Sequence, residues 1–240
     1  MEKLEYVLWK GAGTPIERFR SALLEKAAPR IVRSGARGLT VNIADVNAQL
    51  GGTVPVRDGT GSVAATVGVW LACVDEREGI ERALRESCAR LAGYLVTESV
   101  PRDYDARTWP DGERTPGVKL VTLFEKPERL TDEEFIERWH GSHTPLSLEI
   151  HPMWCYVRNV VARRLTSDGP DWRGIVDEQF RTAEDLTDPT RFYGVSGDWK
   201  LNIQRVLDDC RRFLDLERIQ TAVMSEYILQ SPYAPAMRAS

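Results

Sequence analysis

An internal repeat offset by 116 residues most constrains what this chain can fold into. Lys3-Leu-Glu-Tyr-Val-Leu-Trp9 and Lys119-Leu-Val-Thr-Leu-Phe-Glu125 are apolar runs of strand length, and both open on Lys-Leu. A helix start follows each. In the first, Thr14 is the cap, Pro15 takes the first helical position and Glu17 stands three after the cap; in the second, Thr131 caps with Glu134 three later. The same offset pairs Phe19 with Phe135, Leu23 with Trp139 and Pro29 with Pro145. Strand candidates then run over 38–46 and 154–161, followed by 63–74 and 174–180. Helical patterns over 76–91 and 199–216 come next, and strands over 93–100 and 222–229 close the halves.

Each half therefore reads β-α-β-β-α-β, the ferredoxin-like split βαβ unit. Such a unit covers one sheet face with its two helices and leaves the other face needing a partner. Two units meeting sheet to sheet make a barrel with helices outside. The expected fold is α+β: two tandem ferredoxin-like units forming an intrachain pseudo-dimeric α/β barrel. Residues 1–100 make the first half and 118–240 the second. The 101–117 stretch between them, with three prolines, two glycines and seven charged residues, reads as a linker. Outer edges or helices stay free for pairing into a homodimer.

Charge narrows the partners. Thirty-two Lys and Arg against 36 Asp and Glu give a net charge of -4, with the basic residues scattered among acidic ones, so no nucleic acid is expected. The longest apolar stretches, such as 62–74, fall well short of a membrane span, and no membrane partner is expected. The N-terminus lacks the layout of a signal peptide, which reads as cytoplasmic. Cys73, Cys88, Cys155 and Cys210 form no CxxC pair and read as buried thiols.

The chemistry gathers in Phe135-Ile-Glu-Arg-Trp-His-Gly-Ser-His-Thr-Pro145. Phe135, Trp139 and His143 share one helical stripe facing the core, with His140 about a hundred degrees round. A histidine on an apolar stripe has a neutral imidazole that can take a proton near pH 7, the property of a general base or acid. The bland use of His143 is a hydrogen-bonded cap of a helix ending before Pro145. A metal could recruit His140, His143 and His151 with Glu137 or Glu149, but His-x-x-His aligns less well than the zincin spacing. On 174–180, alternation sets Ile175, Asp177 and Gln179 on one face and Val176, Glu178 and Phe180 on the other. Asp177 needs a partner, either a histidine of the covering helix or Arg158 on the neighbouring strand. Tyr156 and Asn159 could bind a substrate oxygen or merely fill the sheet. Gly11-Ala-Gly13 lacks a third glycine, while Gly51-Gly52 and Asp58-Gly-Thr-Gly61 read as turns of a long loop around 54–56, so no nucleotide site is expected. The 184–198 segment reads as a loop and short turn near a cavity mouth.

Phe135, Trp139, His143 and Pro145 resemble the signature helix of EthD-type dimeric α/β-barrel proteins. Tyr156-Val-Arg-Asn159 resembles the strand that follows it there, and Arg173-Gly-Ile-Val-Asp-Glu-Gln-Phe180 the third strand. On that register Gly174, Asp177 and Phe180 match, while Arg173 departs from the usual Asp. The resemblance covers 119–229. The first half carries Leu23 and Ala27 where the second has Trp139 and His143, so it lacks the motif.

The resemblance implies a cofactor-independent enzyme acting by proton transfer on a small hydrophobic metabolite bearing a carbonyl or phenol. Decarboxylation, cyclisation and dehydration all fit. His143 would move the proton, Asp177 would orient it or bind a substrate oxygen, and Trp139, Tyr156 and Phe180 would shape the pocket. His140, Arg158, Asn159 and Gln179 complete the substrate-binding set. No cofactor and no metal are expected. The rivals are a non-catalytic binding or accessory protein using the same cavity, and a monooxygenase of the cofactor-free or haem kind.

Overall fold

The structure, a computed structural model, describes residues 1–50, 62–167 and 169–232. Eight strands, β1 Glu2–Trp9, β2 Gly38–Ile43, β3 Ala65–Leu71, β4 Arg90–Arg102, β5 Val118–Glu125, β6 Met153–Arg164, β7 Trp172–Phe180 and β8 Gln220–Gln230, close into one barrel. The order around it is β1-β3-β2-β8-β5-β7-β6-β4, and every pair is antiparallel. The first four strands thus lie side by side as β4-β1-β3-β2 and the last four, in the same direction round the barrel, as β8-β5-β7-β6, with seams at β2–β8 and β4–β6. Closure leaves no free sheet edge. The expected α+β barrel is what the chain forms.

Helices cover the outside. In the first half these are α1 Ile16–Ser21, α2 Ala28–Arg33 and α3 Glu78–Arg85; in the second, α4 Asp132–Ile136, α5 Thr144–Ile150, the short α6 Ala183–Thr187 and α7 Pro189–Phe192, and the long α8 Trp199–Phe213. Thr131 makes the expected capping box with Glu134. Thr14 does not cap: the helix begins after Pro15, with no side-chain cap bond. The helix expected over 76–91 ends at Arg85 after a 3₁₀ turn, because Arg90 and Leu91 are drawn into ladder pairs with Trp9 and Leu8 of β1. The 184–198 segment holds α6 and α7 instead of a plain loop, both started by side-chain caps from Thr182 and Asp188. The glycine turns expected around 51–61 lie outside the described residues. Of the four free thiols Cys155 is buried as expected, whereas Cys73, Cys88 and Cys210 are only half-buried.

In both halves the first helix widens in its middle. Ala22–Ala27 and Glu137–His143 are π-helical, and the backbone N–H groups of Ala28 and Thr144 reach back five residues to Leu23 and Trp139. Pro29 and Pro145 stand just beyond. A proline inside a helix removes one N–H and crowds the carbonyl four residues back, and a wider turn relieves both. Pro145 therefore bends the hydrogen-bond ladder without ending the helix, which runs on to Ile150.

Alternation along the strands makes two kinds of core. Outward-facing Leu4, Tyr6 and Leu8 of β1 pack on Phe19, Leu23 and Ile31, and outward-facing Phe124 of β5 packs on Phe135 and Trp139. Gly174 is required at that contact, since a Cβ there would lie 2.3 Å from the Phe124 ring. Inward-facing Val7, Trp9, Trp172 and Met224 fill one end of the barrel, with Trp9 stacked on Trp172 at 6.0 Å. The other end is polar. The 103–117 connection lies over it, burying Trp109 in an aromatic cluster with Tyr104 and Trp154. No helix among the described residues is long and apolar enough to cross a membrane.

Candidate active site

The π turn before Pro145 delivers His143 to the gap between sheet and helices. Its Nδ1 lies 2.9 Å from Asp209 Oδ2 on α8, and its Nε2 lies 3.1 Å from Ser147 Oγ one turn further along its own helix. Asp209 is held in turn by Ser142, whose hydroxyl donates to Oδ1 at 2.6 Å, with Arg212 at 3.7 Å. Asp209, His143 and Ser147 form a hydrogen-bonded line, and the latter two lie on the wall of a cavity of about 320 Å³. The rest of that wall is mostly apolar and aromatic, including Trp139, Tyr156, Phe192, Tyr193 and Phe213. Among the described residues its only carboxylate is Glu178, and no Lys or Arg lines it.

Ionisable groups on this wall are pushed to different values. Burial works against a charged His143, but the hydrogen bonds and charges of Asp209 and Cys210 outweigh it and raise the imidazole to about 10. Asp209 is held below its usual range by the same pairing, against the opposing effect of burial. Burial raises Glu178 to about 7, with the His143 charge pulling it partly back. At neutral pH the site therefore presents an imidazolium that donates to Asp209 and Ser147, beside a carboxyl poised between its two forms. His151, on the same wall, is tied to the Phe192 carbonyl at 2.8 Å and burial lowers it to about 4.

The nine residues singled out from sequence are divided by the sheet. His143, Trp139 and Tyr156 come together at the helix-side cavity. Asp177 does not join them: it points into the barrel, near Lys3 and Lys119, on the opposite face of the sheet from His143. The expected Asp177–His143 pairing fails because a helix covers the outer face of β7, where Val176 and Glu178 lie. Arg158 does not neutralise Asp177 either, since it faces outward and donates to Thr144 Oγ1 at 2.8 Å. Asn159 and Gln179 also face inward, the first accepting from Lys3 Nζ at 2.9 Å and the second donating to the Pro116 carbonyl at 2.8 Å. Phe180 packs on Phe192 in the outer core, and His140 stands edge-on to Trp139 with burial lowering it to about 4.

Three site residues escaped the sequence reading. Ser147 had a usable signal, four residues after His143 on one helix face. Glu178 had one too, being on the strand face opposite Asp177. Asp209 had none, because Asp208-Asp209 in a charged helix reads as solvated surface, whereas the structure leaves Asp209 only 7% exposed.

Among the described residues no three His, Cys, Asp or Glu side chains converge as a metal site would require. Haem on His143 is the cofactor use that the barrel resemblance raises. Ser147 stands against Nε2, the cavity is about 320 Å³, and among the described residues no Lys or Arg lines it to meet propionates, so these residues do not fit haem.

No family model and no curated relative matches the chain by sequence. Solved structures match it by shape. A protein described as anthrone oxidase-like superposes with a TM-score of 0.59 at 12% identity, covering 98% of this chain and 97% of that one. Chlorite dismutase of Candidatus Nitrospira defluvii gives 0.50 at 10% identity over 95% and 92%. A dye-decolorizing peroxidase from Bacteroides thetaiotaomicron VPI-5482 gives 0.50 at 10% over 95% and 93%. What the chain shares with these proteins over nearly its whole length is the fold of the dimeric α/β-barrel proteins.

Proposed function

We propose that this chain is a cofactor-independent enzyme that moves a proton on a small, largely apolar metabolite bearing a carbonyl or a phenol. The observation that carries the reading is the Asp209–His143–Ser147 line on the wall of an apolar cavity that Glu178 also lines. Two ionisable groups driven to different pKa values in one apolar pocket mark an acid and a base. Glu178, near 7, is the base that takes the proton from the substrate. His143, held charged by Asp209, is the acid: its Nε2–H donates to Ser147 Oγ, freeing the serine hydroxyl hydrogen for the substrate oxygen. Charge growing on that oxygen as the proton leaves would be met by a donor already in place. Cyclisation and dehydration next to a carbonyl use this exchange; in decarboxylation the bond to the carboxyl carbon breaks instead, CO2 leaves, and Glu178 in its acid form returns a proton to the carbon left behind.

A second reading keeps the site and changes the reaction. The likeness to a protein described as anthrone oxidase-like favours an oxygenase, in which the deprotonated substrate meets dioxygen as the oxidant. Oxygen uptake during turnover separates the two. The test of the site itself is untargeted metabolite turnover with wild type beside His143→Ala. Loss of conversion with an unchanged circular-dichroism spectrum supports the assignment, and undiminished conversion overturns it.

We further propose that the barrel arose by duplication of one EthD-like unit. The shared strand order supports this, as do the two π turns, each beside a proline, and a pair of equivalent buried ion pairs. Lys3 opposes Val96 and meets Glu98, while Lys119 opposes Met224 and meets Glu226.

A further inference from the structure

We propose that the polar end of the barrel is a second ligand site, built for a small organic cation: an amine or guanidine that also carries an oxygen acceptor. It is independent of the helix-side cavity and lies on the other face of the sheet.

The interior there opens into a cavity of about 750 Å³ beneath Tyr104, Arg107 and Trp109 of the 103–117 connection. Among the described residues six carboxylates line it against three cations. Much of this charge is already satisfied. The Lys3 ammonium meets Glu5 at 2.9 Å, Glu98 at 2.5 Å and the Asn159 side-chain oxygen at 2.9 Å. Glu226 accepts from Tyr104 at 2.6 Å, from Thr115 at 2.8 Å and from Lys119. Arg107 pairs with Asp111.

Six polar atoms of residues lining the cavity are left without a hydrogen-bond partner among the described residues: Asp177 Oδ1, Asn42 Oδ1, Trp70 Nε1, Trp109 Nε1, and Arg107 Nε and Nη2, the last of which keeps its ion pair with Asp111. Asp177, Asn42, Trp70 and Trp109 are exposed by only 7%, 3%, 7% and 7%. A buried polar atom left unmet is costly, and native interiors hold few of them. Here the residues that carry them border one space, with two acceptors, two indole donors and two donors of Arg107, which Asp111 already neutralises. The acceptors suit an ammonium or guanidinium, and the indole N–H groups suit a hydroxyl or carbonyl on the same molecule. Lys3 Nζ already lies 4.5 Å from the Trp70 ring centroid, so one indole face of this cavity has a cation against it. The surplus of carboxylates selects against an anion.

Charge on the wall adds a readout. Burial raises Asp177, against the pull of Lys119 and Lys3, and raises Glu5 to about 7 against Lys3. An arriving cation would favour the ionised forms of both, so binding should release protons.

The experiment is titration calorimetry of the full chain with tyramine and 2-hydroxyethylguanidine as cations. The neutral 4-ethylphenol and the anionic 4-hydroxyphenylacetate match tyramine in shape. The amines should bind at least about tenfold more tightly than either control, with proton release seen as a heat that depends on the buffer. Asp177→Asn and Trp109→Phe should each weaken amine binding at least about fivefold. Glu178→Gln, on the outer face of the same strand, should leave it unchanged. Amines that bind no better than the controls overturn the proposal. So does an affinity that survives both Asp177→Asn and Trp109→Phe. If Asp177→Asn does not fold, the Trp109→Phe result decides alone.

Discussion

Strand β7 separates two cavities of opposite character. On its inner side Asp177 shares about 750 Å³ with two lysines and several other carboxylates; on its outer side Glu178 shares about 320 Å³ with aromatic rings, His143 and His151. Burial acts on both sides, yet the outcomes differ. Inside, the lysines stay above their ordinary range and Glu226 below its own, because opposite charges in contact outweigh the loss of water, while burial wins at Asp177 and at Glu5, which rises to about 7. Outside, Glu178 has only His143 to offset its burial and rises to about 7. A buried carboxylate met by several partners, as Glu226 is, is locked in one state, and a buried carboxyl whose partners fall short of its burial, as at Glu178 and Glu5, is left to titrate near neutral pH.

The largest expected effect breaks the outer cavity. Glu178→Gln should lower turnover about 10²–10⁴-fold, the usual contribution of a general base, measured as kcat/KM on whichever metabolite wild type converts. In wild type, kcat/KM should rise as Glu178 ionises near pH 7 and fall as His143 loses its proton near pH 10. Glu178→Gln should remove the rising limb alone.

The next effect belongs to the inner cavity. Lys119→Met leaves Glu226 buried without its cation and should cost about 3–5 kcal/mol of stability in denaturant unfolding. A loss below about 1 kcal/mol would mean that Tyr104 and Thr115 satisfy Glu226 on their own.

Asp209→Asn sharpens the account of His143. The ring should drop from about 10 towards its ordinary 6.5, followed by NMR titration of its carbon-bound protons, and activity should fall about 10–100-fold as the falling limb moves to lower pH. Linkage gives the sign for stability. His143 binds its proton more tightly folded than unfolded, so its contribution is whole below pH 6.5 and is lost as pH rises through about 10.

The smallest effect is a gain. Glu178 is raised on folding, so ionising it costs stability as pH climbs from 4.5 through about 7. Glu178→Gln should therefore raise the melting temperature at pH 8, by about 2–4 °C for each kcal/mol recovered, and leave it unchanged at pH 4. A variant both slower and more stable would mark this as a site where function is held against stability.

Periodicity and the paired anchors make the barrel legible in the sequence, and the Thr131 box and the Pro29–Pro145 pairing are readable there as well. Boundaries were less so: Leu91 reads as helix by its neighbours and becomes strand by pairing with Leu8. The site was half legible. His143, Trp139 and Tyr156 could be named, but Asp177 was placed beside His143 when alternation on its own strand points to Glu178.

What the sequence by itself determined is whatever a local pattern carries: strand and helix periods, caps, the proline that widens a turn, and which residues share a face. What only the tertiary structure decided is which face meets which partner. Asp209 reaches His143 from 66 residues away because α8 packs on the π turn. Lys3 and Asp177 share one cavity because the barrel closes. Both depend on how the layers stack, and stacking is settled by summed burial across the whole chain, which no single segment encodes.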